Sequence, residues 1–313
     1  MASNDILSTK EGSISISHYG DTANAPYGEK TPEQIATFSA QGINRAFKDG
    51  AEVVFIACNT ASTQYEAIKK ILNQTHPGRG ERIVSIIDSS VQELKKQIDA
   101  KLKTQNNVQV AILATPATIK AGAYLRALAT AYSATVIATP LTHHTQPRWY
   151  KQKGNEVVSA AAPATLQLAQ GKTITISQVG PANWVDMIEH GASAAEKSQA
   201  IARDLALLAP KAQWEVVGEF CTHFPAIDGM IKIEATKLGL ASPQTSYIKQ
   251  GPLMATIFRA MMKPRFTGKP SKPARLIRAK IYISGTNLQE TSQLAKEVFP
   301  QDPAPAIQQL SFQ

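Results

Sequence analysis

The stretch Glu52-Val53-Val54-Phe55-Ile56-Ala57-Cys58-Asn59-Thr60-Ala61-Ser62 decides how this chain is read. An apolar run of strand length stops at a cysteine and a set of small hydrogen-bonding residues. The helical spacing of Tyr65, Ile68, Ile71 and Leu72 follows at once. Strand, turn and helix in that order are the unit of an open α/β fold, where ligands bind at the carboxyl ends of strands. A helix N-terminus adds free N–H groups and the positive end of a dipole, which suit an anion or a thiolate. The other cysteine repeats the setting: Trp214-Glu215-Val216-Val217-Gly218-Glu219-Phe220 leads into Cys221-Thr222-His223-Phe224-Pro225.

Outward from these two stretches the chain alternates strands and helices, the pattern of parallel sheets. A short strand from Ile14 to His18 runs into the turn-forming Tyr19–Gly28 segment, and Thr31 then caps a helix with Pro32 at its first position, running towards Lys48. Further strands are expected at Ile83–Ile87, Val108–Ala114 and Thr135–Ala138, with helices from Ser90 to Leu102 and beyond Thr115-Pro116-Ala117-Thr118. From Leu141 to about Ser177 the rhythm breaks, apart from a short strand candidate at Thr173–Ile176, and the stretch reads as an insertion. Helices over 182–189 and 194–208 lead to the Cys221 strand. A helix after Pro225, one near Leu253–Met262, a strand at Ala279–Ser284 and an amphipathic helix at Leu288–Val298 complete the pattern.

A chain of 313 residues suits two domains of ordinary size. Its 43% hydrophobic and 18% charged content is that of a globular chain rather than a disordered one. The two cysteines have neither disulfide-framework nor metal-ligand spacing and read as free thiols of a reducing compartment. No apolar stretch is long enough to span a membrane, and no secretory signal opens the sequence, so the expected location is cytoplasmic. Much of the +9 net charge is local, in the acid-free run Lys263, Arg265, Lys269, Lys272, Arg275, Arg278 and Lys280 interleaved with prolines. A solvated basic loop over 263–280 is the plainer reading; a weak patch for nucleic acid or an acidic partner is the other. Adjacent His143 and His144 lack further ligands, so no metal is expected.

Two cysteines at strand ends suggest thiol chemistry in one of two forms. A hydrolase would pair one thiol with a histidine, for which His223 is close in sequence to Cys221, but the second thiol would be idle. Alternatively two thiols face each other across a substrate, one removing a proton from a carbon and the other returning one to the opposite face. A free thiol titrates at about 8.5, and a helix N-terminus or an imidazolium lowers that, so either cysteine can reach the thiolate form. Asn59, Thr60, Thr115, Thr118 and Thr222 offer short donors that hold carboxylates.

The segments GDTANAPYGEKTPEQI, ACNTAS, ATPATIKAGAYL and CTHFP, in that order, closely resemble the glutamate racemases of the aspartate/glutamate racemase superfamily. The resemblance runs from about Tyr19 to the C-terminus, apart from the insertion. It implies an α/β fold of two pseudo-symmetric domains, each a mostly parallel sheet flanked by helices, with the active site in the interdomain cleft. The implied boundaries are 1–106 with 244–313 for a discontinuous first domain and 107–243 for the second, which carries the insertion at about 141–177. The implied reaction interconverts L- and D-glutamate without pyridoxal phosphate or metal, supplying D-glutamate for peptidoglycan.

On that resemblance Cys58 and Cys221 are the acid/base thiols, assisted by His223. Tyr27, Gly28, Asn59, Thr60, Thr115, Thr118 and Thr222 hold the substrate, and Glu189, in Ile188-Glu189-His190-Gly191, supports the histidine. Glutamate is the expected ligand and a homodimer is among the expected assemblies. The chain departs from the family in three ways. It lacks the early strand ending in Asp-Ser-Gly, its only Asp-Ser pair being Asp88-Ser89. Phe220 replaces a glycine and is expected to narrow the pocket, and the insertion is expected over the cleft or at a subunit contact. The competing functions are a catalytically impaired homologue that acts as a binding protein, and a racemase for aspartate or another acidic amino acid.

Overall fold

The computed structural model of the protein describes residues 15–137, 160–161, 164–208, 213–254, 256, 278–283 and 307–309. In chain order the first elements are β1 (Ser15–Gly20), α1 (Pro32–Lys48), β2 (Val54–Ile56), α2 (Asn59–Ser62), α3 (Tyr65–Thr75), β3 (Ile83–Ser85), α4 (Ile86–Lys101), β4 (Asn107–Ala114), α5 (Pro116–Ala121) and α6 (Ala123–Tyr132). There follow β5 (Thr135–Ile137), β6 (Ala160–Ala161), β7 (Ala164–Gln167), β8 (Thr173–Gly180), α7 (Trp184–Glu189), α8 (Ala194–Ala206), β9 (Val216–Phe220), α9 (Asp228–Lys237), β10 (Ser246–Lys249), β11 (Arg278–Ile283) and β12 (Ile307–Gln309). The chain gathers into two compact units. One comprises Met1–Ile56, Gln64–Ser85 and Met254–Gln313, the other Ala57–Thr63 and Ile86–Leu253.

In the first unit β1, β11 and β12 form a parallel sheet and β2 pairs in parallel with β3. Helix α1 starts where the sequence places it. The Thr31 hydroxyl accepts the Gln34 N–H, the Gln34 side chain accepts the Thr31 N–H, and Pro32 occupies the first turn. Its Ile35, Ala36, Ala40, Ile43, Ala46 and Phe47 recur at three- and four-residue spacing, and this stripe is buried.

The second unit is built on one sheet in the order β10-β9-β4-β8-β7-β5, with β6 pairing on β8. Strands β10, β9, β4 and β8 run parallel, while β7 is antiparallel to both its neighbours, β8 and β5. The apolar run of β4 is buried on both faces, as a central parallel strand requires. One face packs Val110, Ile112, Val216 and Phe220 against Leu94 and Ile98 of α4 and Tyr124 and Leu128 of α6. The other packs Leu113, Val217 and Cys221 against Trp184, Ile201, Leu205 and Ile231 of the later helices. Each fully buried aliphatic side chain stabilises the fold by roughly 1.5–3 kcal/mol.

The units differ from the sequence-based boundaries at three places. Residues 86–106, assigned to the first domain, belong to the second unit, because the α4 side chains Ile87, Val91, Leu94 and Ile98 fill the space over β4. The segment from 244 to 253 belongs there too, since β10 is hydrogen-bonded along β9. The short Cys58 segment, Ala57–Thr63, likewise belongs to the second unit although its strand β2 lies in the first. The stretch read as an insertion contributes β6, β7 and the first part of β8, and β8 pairs with β4 over seven residues from Asn107↔Thr173 to Leu113↔Val179. Its alternation Thr173-Ile174-Thr175-Ile176, with both isoleucines fully buried, is a strand signature. Residues 141–159, His143 and His144 among them, lie outside the described residues, as do 263–277 of the basic loop and the Leu288–Val298 helix. Strand β12 was not anticipated by the sequence reading.

Candidate active site

Strand register decides which residues meet. Ala114 pairs with Phe220 and Lys249 with Glu219, so Thr115, Cys221 and Gln250 emerge at the carboxyl ends of three adjacent parallel strands. This is the end of an α/β sheet where ligands bind. The Cys58 segment is tied to the same place by side chains. The Thr60 hydroxyl lies 2.9 Å from that of Thr115 and 3.4 Å from that of Thr118, and the latter two are 2.9 Å apart. Thr115 also caps α5 by accepting the Thr118 N–H at 3.3 Å, so it is both a helix cap and one of three clustered hydroxyls.

Cys58 caps the single turn α2, its sulfur accepting the Ala61 N–H at 3.5 Å. One side of the residue is exposed. The protein crowded around the sulfur nonetheless raises its pKa by desolvation. The Ala61 N–H pulls the other way, charge on Cys221 raises it again, and the Thr60 donors lower it. The lowering expected from a helix N-terminus is therefore reversed, because desolvation of the sulfur outweighs the Ala61 N–H and the Thr60 donors. That Cys221 acts on Cys58 puts the two sulfurs in one electrostatic neighbourhood.

Cys221 is buried, and its sulfur lies 3.7 Å from His223 Nδ1. His223 Nε2 in turn meets Glu189 Oε1, at the end of α7, at 2.8 Å. Burial works against the charged imidazole, but the hydrogen bonds to Cys221 and Glu189 outweigh it and raise its pKa to about 10. The hydrogen bond to His223 holds Glu189 below the usual carboxylate range. Thr222 is exposed, with its hydroxyl 3.5 Å from His223 Nδ1. Sulfur, imidazole and carboxylate thus form a relay in which a doubly protonated ring can donate to both neighbours.

Of the residues singled out from sequence, Cys58, Asn59, Thr60, Thr115, Thr118, Glu189, Cys221, Thr222 and His223 all fall in the second unit. Tyr27 and Gly28 belong to the first, where the Tyr27 hydroxyl donates to Asp21 at 2.8 Å. Phe220 does not narrow a pocket beside Cys221. Successive residues of β9 face opposite sides, and its ring lies in the α4/α6 core, fully buried. Gly218 makes this possible, since a Cβ there would run into the Phe220 ring. Sequence reasoning missed Tyr124 and Gln250, which hold the buried Asn59 side chain, and Ser90, which meets Gln250. Neither Gln250, after the mixed strand Ser246–Lys249, nor Tyr124, beyond its helical spacing, gave a local signal.

No family model matches the chain. Among curated proteins it is 32% identical over 116 residues to the glutamate racemase of Aquifex pyrophilus, covering 37% of this chain and 40% of that one. It is 33% identical over 114 residues to that of Helicobacter pylori, covering 36% and 40%. The matched part thus spans about two fifths of the length of these relatives. Among solved structures, glutamate racemase RacE1 from Bacillus anthracis superposes with a TM-score of 0.64 at 16% identity, covering 95% of this chain and 88% of that one. The chain has the fold of the glutamate racemases. The glutamate racemase from Francisella tularensis, solved in complex with D-glutamate, gives a TM-score of 0.63 at 18% identity and covers 96% and 89%. Among the described residues no helix is long and apolar enough to cross a membrane.

Proposed function

We propose that this chain is a glutamate racemase that moves the α-proton between two thiols, Cys58 and Cys221, without a cofactor. The observation that carries the reading is the pair itself. The only two cysteines of the sequence sit in one electrostatic neighbourhood, one capped by neutral donors and the other backed by an imidazole–carboxylate relay. In this reaction the thiolate of one cysteine takes the proton from the α-carbon, leaving a carbanion, and the thiol of the other supplies a proton to the opposite face. One S–H and one C–H bond break and one of each forms, so the two sulfurs end with exchanged protonation. His223 holds a proton beside Cys221 and can compensate charge on that sulfur or restore its proton. The hydroxyls of Thr60, Thr115 and Thr118, with Thr222, supply the donors for substrate carboxylates. Tyr27 and Gly28 are proposed as further substrate contacts, and a small acidic amino acid is the proposed ligand. Likeness to racemases supports the substrate class.

The test is incubation of the protein with L-glutamate in D2O, without added pyridoxal phosphate and with chelator present. The reading expects loss of the α-proton resonance together with loss of optical rotation. Absence of exchange with glutamate but exchange with aspartate would move the substrate. Absence with both, alongside measurable binding of either, would leave a binding protein.

A further inference from the structure

The carboxamide of Asn59, the residue after Cys58, is 3% exposed and held on every side. Its Oδ1 accepts the Tyr124 hydroxyl at 2.6 Å and the Gln250 Nε2 at 3.0 Å, while its Nδ2 donates to Gln250 Oε1 at 2.7 Å. Gln250 is itself fixed, its Nε2 also lying 2.8 Å from Ser90 Oγ and 3.1 Å from the Tyr124 hydroxyl, so that its two N–H groups are shared among three acceptors. The ring of Tyr124 stacks on that of Phe220, the residue before Cys221, with centroids 4.1 Å apart and planes 10° from parallel. A continuous chain of contacts therefore leads from the neighbour of one cysteine, through a single tyrosine, to the neighbour of the other.

We propose that Tyr124 and Gln250 are positioning residues for the two-thiol reaction, the hydrogen bonds locking the Cys58 turn and the ring stack locking the end of β9 that carries Cys221. The proposal rests on the racemase reading for its catalytic consequence, but not for its structural one. Asn59 sits in α2, and the same turn supplies the Ala61 N–H that reaches the Cys58 sulfur. Releasing the amide loosens that turn and withdraws a donor from the sulfur. A buried amide pair of this kind has nothing to gain from solvent, so its loss is felt in geometry. A displacement of about 1 Å between reacting groups costs on the order of a hundredfold in rate.

Two measurements separate this from a merely structural role. The first is kinetic: Tyr124→Phe keeps the ring stack and removes the hydroxyl, and Gln250→Leu removes the amide. Each is expected to lower kcat by about tenfold or more with a smaller change in KM, and the double variant to lose less than the product of the two, since both act through Asn59. Tyr132→Phe, on the same helix but bonded to Asp99 and the Lys95 carbonyl, controls for loss of a tyrosine hydroxyl and should leave kcat unchanged. The second needs no turnover: the pH profile of Cys58 alkylation by iodoacetamide in a Cys221→Ser background, expected to move to higher pH when Tyr124→Phe or Gln250→Leu is added. Should wild-type protein show no racemisation while this profile shifts, the function fails and the clamp stands. An unshifted profile, or Tyr124→Phe and Gln250→Leu with wild-type kcat, overturns the clamp and leaves the racemase reading intact.

Discussion

The two cysteine sites share a sequence pattern and differ in nearly every physical respect. Cys58 is exposed, is capped by backbone and threonine donors, makes no hydrogen bond to an ionisable group among the described residues, and has its pKa raised by the protein around it. Cys221 is buried against the later helices and faces an imidazole whose pKa is raised by its hydrogen bonds to Cys221 and to Glu189. Neutral dipoles surround one sulfur and a charged relay backs the other, so the two thiols have different proton partners. Pseudo-equivalent positions in a chain do not have to be made equivalent in chemistry.

The sharpest attack on the comparison is removal of either sulfur. Cys58→Ser and Cys221→Ser are each expected to lower α-proton exchange at least about a hundredfold, since a hydroxyl is far too weak an acid to replace a thiol in either role. Near-wild-type exchange in D2O by one variant would remove that residue from the mechanism.

A second prediction concerns the strand that carries Cys221. Glu219 is 1% exposed, and among the described residues its carboxyl oxygens make no well-formed hydrogen bond although the carboxyl of Asp228 is close by. Burial, and then the charge of Asp228, raise its pKa to about 8, with Lys232 and Lys249 opposing. Between its ordinary 4.5 and about 8 the folded chain keeps a proton that the unfolded chain has released, so Glu219 makes stability fall as pH rises through that window. Glu219→Gln cannot ionise. Urea unfolding should find it close to wild type at acid pH and more stable by the order of a few kcal/mol near pH 8. An unchanged difference across the window would mean that the carboxyl is solvated.

The relay gives a smaller and more specific effect. The folded His223 ring holds its proton up to about pH 10, against 6.5 ordinarily, so its stabilising contribution is complete below about 6.5 and is lost as pH rises through about 10. Glu189→Gln removes one of the two hydrogen-bond partners that raise it. The NMR titration of the His223 ring should move to lower pH, and kcat should fall several-fold. An unmoved titration would place the source of the shift in Cys221 alone.

Smallest is the test of the neutral side. Thr60→Val removes a donor that lowers the Cys58 thiol and should push its alkylation profile further up, with little dependence on salt because no net charge is removed. A salt-sensitive shift would show that the Cys58 site relies on charge after all.

Much of the fold and the site was legible from local pattern. The Thr31 cap with Pro32, the apolar run of β4, the Thr115 cap of α5 and both cysteine-bearing strand ends stand where neighbouring residues put them. The alternation of residues 173–176 was equally legible as a short strand, which the structure extends to Gly180 and pairs with β4. Phe220 shows the opposite limit. Its place beside Cys221 suggested the pocket, but the pleat of β9 and the bare Gly218 send the ring to the other face.

By itself the sequence determined the α/β class, the two thiols, the histidine two residues beyond the second, and the caps, because each is encoded within a few residues. Tertiary structure alone decided that β10, β9 and β4 lie side by side, that α4 belongs with them, and that Asn59 meets Gln250 across 191 residues of chain. It also decided the direction of the Cys58 shift, since desolvation depends on everything packed around a group and on nothing that its neighbours in sequence reveal.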